Sequence, residues 1–415
     1  MSLCVLGADL DGRTVGVRCE EGLIAAIGRE VTAQPGDEVL EAEGMLLCPP
    51  LVNGHTHAAM TLLRGFGDDL PLMEWLRDRI WPAEAKLEPD DVYWGTRLAA
   101  VEMIRSGTTR FFDMYWHADQ VARAVTDAGL RATVSVVLLD ALDAAKGDEL
   151  RAKALESLET LSSFGPLVTP SLGPHAIYTV SGDSLAWIAE AAAERDVPVQ
   201  IHLSETEAEV DDCVQAHGSR PATYLDQLGL LGPRSVLAHG VWLDRAELEL
   251  IAERGATIVT NPAANMKLAV GGAFPYPAAA ELGVPLGLGT DGPSSNNNLD
   301  LFEEKKIFAL LQKHAASDPS VASAAEVLEL ARGRASMLLG GTPLAPGEPA
   351  DFLLLRADEP ELTVGDAEAN LVYAANGSAV DTTVVGGRVL MRDREIEGVD
   401  EVVAEVRERA RRLTR

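Results

Sequence analysis

Short apolar runs rich in β-formers recur along the chain at 46–52, 108–114, 131–138, 167–173, 198–203, 235–240, 257–262 and 285–290. Between them lie stretches with apolar residues at helical spacing, at 89–106, 118–129, 181–195, 244–254 and 299–313. This alternation predicts parallel strands joined by helical crossovers, and eight such units close a (β/α)8 TIM-type barrel, an α/β fold. The ends of the chain read differently. Residues 1–44 and 350–397 carry short apolar runs between turns such as Asp11-Gly12 and Gly386-Gly387, a pattern of antiparallel β-structure. Neither flank holds enough strands to stand alone. A small composite β-sandwich is therefore expected from 1–50 and 344–397, beside a barrel over 51–343. Val399, Val402, Val403 and Val406 then lay an apolar stripe along a terminal helix over 398–415.

In such a barrel, chemistry collects at the C-terminal ends of the strands. The first strand runs toward His55 and His57 in Leu51-Val52-Asn53-Gly54-His55-Thr56-His57. Alternate residues of a strand share a face, so this spacing aims two imidazoles at one point. Paired imidazoles suit zinc or iron, and a catalytic site needs at least three ligands with one position open. Further donors follow at equivalent places: His175 after the fourth strand, His202 with Glu205 after the fifth, His239 after the sixth, and Asp291 at the eighth. Taken singly, each is as readily a satisfied core histidine or a solvated acid. Their coincidence at strand ends is what points to a metal-dependent site.

Composition narrows the partners. The 64 acidic against 35 basic residues give a net charge of −29, which opposes attraction to nucleic acid or anionic lipid. Ordinary solubility accounts for that excess, with salt adaptation as the alternative. No secretory leader and no apolar run of about 20 residues is evident, so a cytoplasmic protein is expected. Cys4, Cys19, Cys48 and Cys213 lack metal-knuckle spacing and read as reduced packing residues.

Together with Arg79-Ile80-Trp81-Pro82-Ala83-Glu84, Gly173-Pro174-His175, Ile201-His202-Leu203-Ser204-Glu205, Ala238-His239, Asn261-Pro262 and Leu288-Gly289-Thr290-Asp291-Gly292, the Leu51–His57 run resembles the amidohydrolase superfamily. Within it the chain is similar to the 5-methylthioadenosine/S-adenosylhomocysteine deaminases. The resemblance spans essentially the whole chain. It implies one divalent cation per subunit, zinc first with ferrous iron as the alternative, on His55, His57, His202 and Asp291. Glu205, His239 and Asp291 are then catalytic groups, with Glu205 also touching substrate. Two-metal relatives bridge their ions with a lysine on the fourth strand, and here that strand ends in His175 without one. Pro50 and Ala264 depart from the residues usual in the family, glycine and serine, and touch no ligand.

The implied activity is hydrolytic deamination of adenosine-type nucleosides to the inosine form with release of ammonia. Glu84 and His175 are the implied nucleoside contacts, Glu84 as an acceptor for the ribose hydroxyls, and Arg151 is a candidate for holding a substrate carboxylate. Trp75 and Trp81 read equally as ligand walls or packing aromatics. The alternatives are an oxopurine or guanine deaminase, a triazine-type chlorohydrolase, and a non-catalytic scaffold that keeps the barrel. The partner is a small nucleoside, and a homo-oligomer is left open.

Overall fold

The computed structural model describes residues 2–415, the side chains of 144–146 excepted. Strands β1 (Ser2–Leu10), β2 (Arg13–Glu20), β3 (Leu23–Gly28), β4 (Glu38–Glu41) and β5 (Met45–Cys48) come from the N-terminal end. Pro49 and Pro50 then break the extended run, because proline offers no N–H to a strand ladder. The chain leaves the first sheet and enters the barrel as β6 (Leu51–Thr56). The expected strand at 46–52 is thus two strands in two sheets, and His55 lies inside the barrel strand rather than after it.

The barrel continues through β7 (Thr108–Tyr115), β8 (Arg131–Leu138), β9 (Val168–Pro174), β10 (Val199–Leu203), β11 (Ser235–His239), β12 (Thr257–Thr260) and β13 (Leu286–Leu288). Each strand pairs in parallel with the next in chain order. The first and last strands meet at a seam held by side chain and loop. Asn53 Nδ2 donates to Thr290 Oγ1 at 2.8 Å, and the Asp291 N–H donates to the His55 carbonyl at 3.1 Å. This seam admits only glycine at Gly289, where a Cβ would stand 2.8 Å from the His55 oxygen and 2.9 Å from its nitrogen. The close approach draws the end of β6 and the loop after β13 together, which is how His55 and Asp291 come to share one floor.

Strands β14 (Phe352–Arg356), β15 (Val380–Val385) and β16 (Arg388–Met391) join the N-terminal strands in one mixed sheet, ordered β16-β15-β14-β5-β1-β2-β3 with β4 on β1. Alternation along β14 ties this sheet to the barrel. Phe352 and Leu354 pack with Leu3, Val5 and Leu47 in the sheet's own core, whereas Leu353 and Leu355 belong to the barrel's. At about 1.5–3 kcal/mol for each fully buried large apolar side chain, both layers draw stability from one strand. The helix Val399–Leu413 buries Val402, Val406 and Leu413, and its Arg409 and Arg412 pair with Asp90 and Asp91 of the helix Pro89–Arg105. Among the described residues, no helix is long and apolar enough to cross a membrane.

Candidate functional site

The rim formed by the C-terminal strand ends turns a set of imidazoles and carboxylates onto one point. His57 Nε2 lies 3.1 Å and His55 Nε2 3.5 Å from Asp291 Oδ1, and the Nε2 atoms of His57 and His202 are 3.3 Å apart. His55, His202, His239 and Asp291 also each offer one atom within 4.8 Å of the others. Five groups therefore crowd a space that four ligands would fill.

Outer partners decide which ring nitrogen faces inward. A carbonyl oxygen only accepts, so a ring nitrogen opposite one carries the proton. His57 Nδ1 donates to the Met114 carbonyl at 2.6 Å, His202 Nδ1 to the His175 carbonyl at 2.7 Å, and His55 Nδ1 to Gln200 Oε1 at 3.2 Å. Neutral rings held this way present their Nε2 lone pairs to the centre, the arrangement typical of metal-ligating histidines. Lone pairs facing each other repel, and the buried His55 Nε2 has no hydrogen-bond partner. With the Asp291 carboxylate among them, these nitrogens call for positive charge at the centre. A divalent cation that accepts three imidazole nitrogens and a carboxylate oxygen fits this donor set.

Electrostatics point the same way. Burial lowers the His57 imidazolium, but the neighbouring Asp291 carboxylate outweighs it and lifts the group to about 9, so without a cation a proton on His57 takes the place of the positive charge that the carboxylate calls for. Burial likewise works to raise Asp291, yet its contacts with His55 and His57 hold the carboxyl well below the usual range. Burial drives His55 down to about 4 and His202 well below its ordinary value. Glu205, fully buried nearby, is pushed up by that burial, with its Oε1 3.8 Å from His239 Nδ1. Asn265 Oδ1 holds His239 Nδ1 at 2.8 Å.

Three strand ends carry non-glycine residues in left-handed backbone: Ser204 (φ 50°) after β10, His239 (φ 75°) on β11 and Asp291 (φ 57°) after β13. Such conformations cost on the order of 1–3 kcal/mol each and persist only where the surroundings enforce them. Glu209 does so at β10. It sits in the first turn of the helix Glu207–His217, and its carboxylate accepts the N–H groups of Ser204 and Glu205, both at 2.9 Å. Burial pushes its own carboxyl up to about 7. Glu209 was not among the residues singled out from the sequence, because an acid in a first helical turn reads locally as a favourable dipole contact. Glu209→Ala frees the backbone that aims Glu205, so kcat should fall about 10–10²-fold with a smaller change in KM. Steady-state kinetics check this, and Glu209→Gln, which keeps one acceptor, should recover part of the loss.

The centre opens into a pocket walled by Trp75, Leu76, Ile80, Trp81 and Glu84 from the segment after β6, and by Tyr115, Trp116, Val137, Leu139, His175 and Tyr178 from other strand ends. Burial raises the Glu84 carboxyl, and Trp116 Nε1 donates to its Oε2 at 3.2 Å. The Tyr115 hydroxyl stands beside Glu84 without a well-aligned hydrogen bond. His175 lines the same pocket, its Nδ1 held by Thr179 Oγ1 at 2.9 Å. Arg151 does not reach this pocket. Its guanidinium lies over the Trp187 ring at 5.8 Å, beside Asp148 and in a separate crevice. Trp75 and Trp81 do line the pocket, as do Tyr115, Trp116 and Tyr178, which the sequence reading passed over. Tyr115 ends the second barrel strand and Trp116 follows it, so only their place at a strand end could have marked them.

Residues 46–390 match the amidohydrolase family. A 5'-deoxyadenosine deaminase of Methanoregula boonei is 49% identical over 95% of this chain and 91% of its own. A 5-methylthioadenosine/S-adenosylhomocysteine deaminase of Thermococcus kodakarensis is 42% identical over 93% of this chain and 92% of its own. Among solved structures, a zinc-bound adenosine deaminase of Xanthomonas campestris superposes with a TM-score of 0.93 at 34% identity, covering 99% of this chain and 98% of that one.

Proposed function

Because this chain belongs to the amidohydrolase family, we propose that it is a metal-dependent aminohydrolase converting 5′-modified adenosines and water to the inosine form and ammonia. One observation carries the reading. A buried acid, Glu205, stands beside a buried imidazole and carboxylate cluster in the same pocket as a second, half-buried carboxylate, Glu84. The names of the relatives support the adenosine class.

His55, His57, His202 and Asp291 would hold one divalent cation, zinc by analogy with the zinc-bound relative. Such a cation supplies Lewis acidity that makes water nucleophilic at neutral pH. The remaining steps belong to the chain's own residues. Glu205, raised by burial, takes the proton from the attacking water and passes it to the purine nitrogen next to the carbon under attack. The water oxygen bonds to that carbon, the carbon–nitrogen bond to the amino group breaks, and ammonia leaves. His239, fixed through Asn265, orients the water, and Asp291 relays a proton to the departing nitrogen. Glu84 accepts both ribose hydroxyls, and His175 hydrogen-bonds the nucleoside. The four free cysteines suit a reducing cytoplasm.

The test is ammonia release from purified protein with adenosine derivatives, adenine, guanine and a chlorotriazine. A pocket-facing acceptor pair built for two hydroxyls leaves a sugarless base mismatched, a loss of about 10⁴-fold where a site is built around it. Adenosines should therefore win on kcat/KM, and Glu84→Ala should erode that lead by weakening nucleosides while metal content stays intact. A free base or the triazine winning rejects the nucleoside assignment.

A further inference from the structure

Glu209 holds the backbone at the end of β10, and a second buried acid, Glu304, stands in the same relation to the ends of β12 and β13. It lies in the first turn of the helix Leu301–Ala316, is 1% exposed, and stands outside the pocket walls. Burial pushes its carboxyl up to about 8. A carboxylate so placed persists where donors meet its oxygens. The Ala263 N–H donates to Oε2 at 3.2 Å, and Asn296 Nδ2 donates to Oε1.

Each donor leads to a group at the centre. Ala263 sits at the start of the short helix Pro262–Lys267, where Pro262 has no N–H to give and Ala263 supplies the first. Two residues on, Asn265 Oδ1 accepts from His239 Nδ1 at 2.8 Å. On the other side, Asn296 has a second amide hydrogen, which Nδ2 donates to the Thr290 carbonyl at 2.8 Å. The N–H groups of Ser295 and Asn296 both donate to the Gly292 carbonyl, at 3.0 and 2.9 Å, and Ser295 Oγ donates to Asp291 Oδ2 at 2.6 Å. The turn that carries Asp291 in left-handed backbone is thus closed on itself, and Glu304 anchors the amide that closes it.

We infer that Glu304 is a positioning residue that sets His239 and Asp291 in one frame, through Asn265 on one side and Asn296 on the other. This rests on the reading above, in which His239 orients the water and Asp291 holds the cation and relays a proton. One carboxylate, two loops and two working groups are then linked by hydrogen bonds rather than by packing alone.

The linkage needs an acid. A carboxylate accepts at both oxygens, so it can serve the Ala263 and Asn296 donors together. Glutamine matches its shape but has one acceptor oxygen, and it turns an NH2 group against the other donor. One loop is then released, and a shift of about 1 Å in a working group can lower the rate about 10²-fold.

The experiment reads two quantities on the full-length protein: kcat for 5'-deoxyadenosine at saturating zinc, and zinc affinity by competition with a chelator. Asn265→Ala touches the His239 branch and should lower kcat about tenfold while zinc affinity holds. Asn296→Ala touches the Asp291 branch and should weaken zinc about tenfold, as loss of an outer partner of a ligand does. Glu304→Gln should do both, with KM little changed, and its kcat loss combined with Asn265→Ala should fall short of the product of the two single losses. If Glu304→Gln does not fold, Glu304→Asp, which carries the charge on a shorter arm, is measured in its place. A folded Glu304 variant that lowers only Tm, or moves just one of the two quantities, overturns the inference and leaves the deaminase reading intact. Turnover of guanine or a chlorotriazine with no adenosine derivative accepted overturns that reading, while zinc affinity and kcat on the accepted substrate still decide the inference.

Discussion

Glu205→Gln keeps its fold and its metal and turns over adenosine substrates about 10²–10⁴-fold more slowly, the range that a positioned acid–base group contributes. The amide matches the carboxylate in shape, so the Glu209 contacts to the backbone of Ser204 and Glu205 survive, as does the packing around a fully buried side chain. It can neither take the proton from water nor hand it to the ring nitrogen. The loss should therefore fall on kcat, with KM little changed and metal content equal to wild type. Steady-state kinetics beside metal analysis decide the point. Near-normal turnover would move the proton shuttle to another group, and a coupled loss of metal would make Glu205 part of the cation's cradle.

The contrast between Glu205 and Glu209 shows what a sequence can disclose. Seven of the eight barrel strands lie within two residues of the apolar runs that announce them, since a parallel strand covered on both faces is a continuous β-rich segment. Strand-end residues such as His202, His239 and Asp291 were legible by counting from those runs. The first strand was misdrawn because Met45 to Val52 is apolar throughout and only Pro49-Pro50 marks the passage from one sheet to the other. The pocket wall was less legible for the same reason that the strands were clear. A segment buried on both faces has no alternation, and nothing local distinguishes Tyr115 and Trp116 on the pocket from aromatic residues in the core. Arg151 illustrates the converse. A helix face offers several directions, and only the ring of Trp187 and the carboxylate of Asp148 settle where that guanidinium points.

Removing the metal should abolish activity while leaving a folded but less stable protein, and restoring one equivalent should return both. Without the cation, the inward Nε2 atoms of His57 and His202 stand 3.3 Å apart, the His55 Nε2 has no hydrogen bond, and only a proton on His57 offsets the Asp291 carboxylate. With free metal about 1,000-fold above Kd, binding contributes about 4 kcal/mol to stability, so Tm should fall by several degrees on chelation. The barrel core does not depend on the ion, and far-UV circular dichroism should be unchanged. The same measurement separates the five crowded groups. Asp291→Asn removes the one negative charge that touches both His55 and His57, and should weaken the metal by more than the about 10–100-fold that losing an outer-shell partner costs. His239→Ala should keep a full equivalent of metal and lose turnover, because His239 is assigned to the water rather than the cation. If instead His239→Ala empties the site and His57→Ala leaves it filled, the ligands are His55, His202, His239 and Asp291, the set whose donor atoms lie within 4.8 Å of one another.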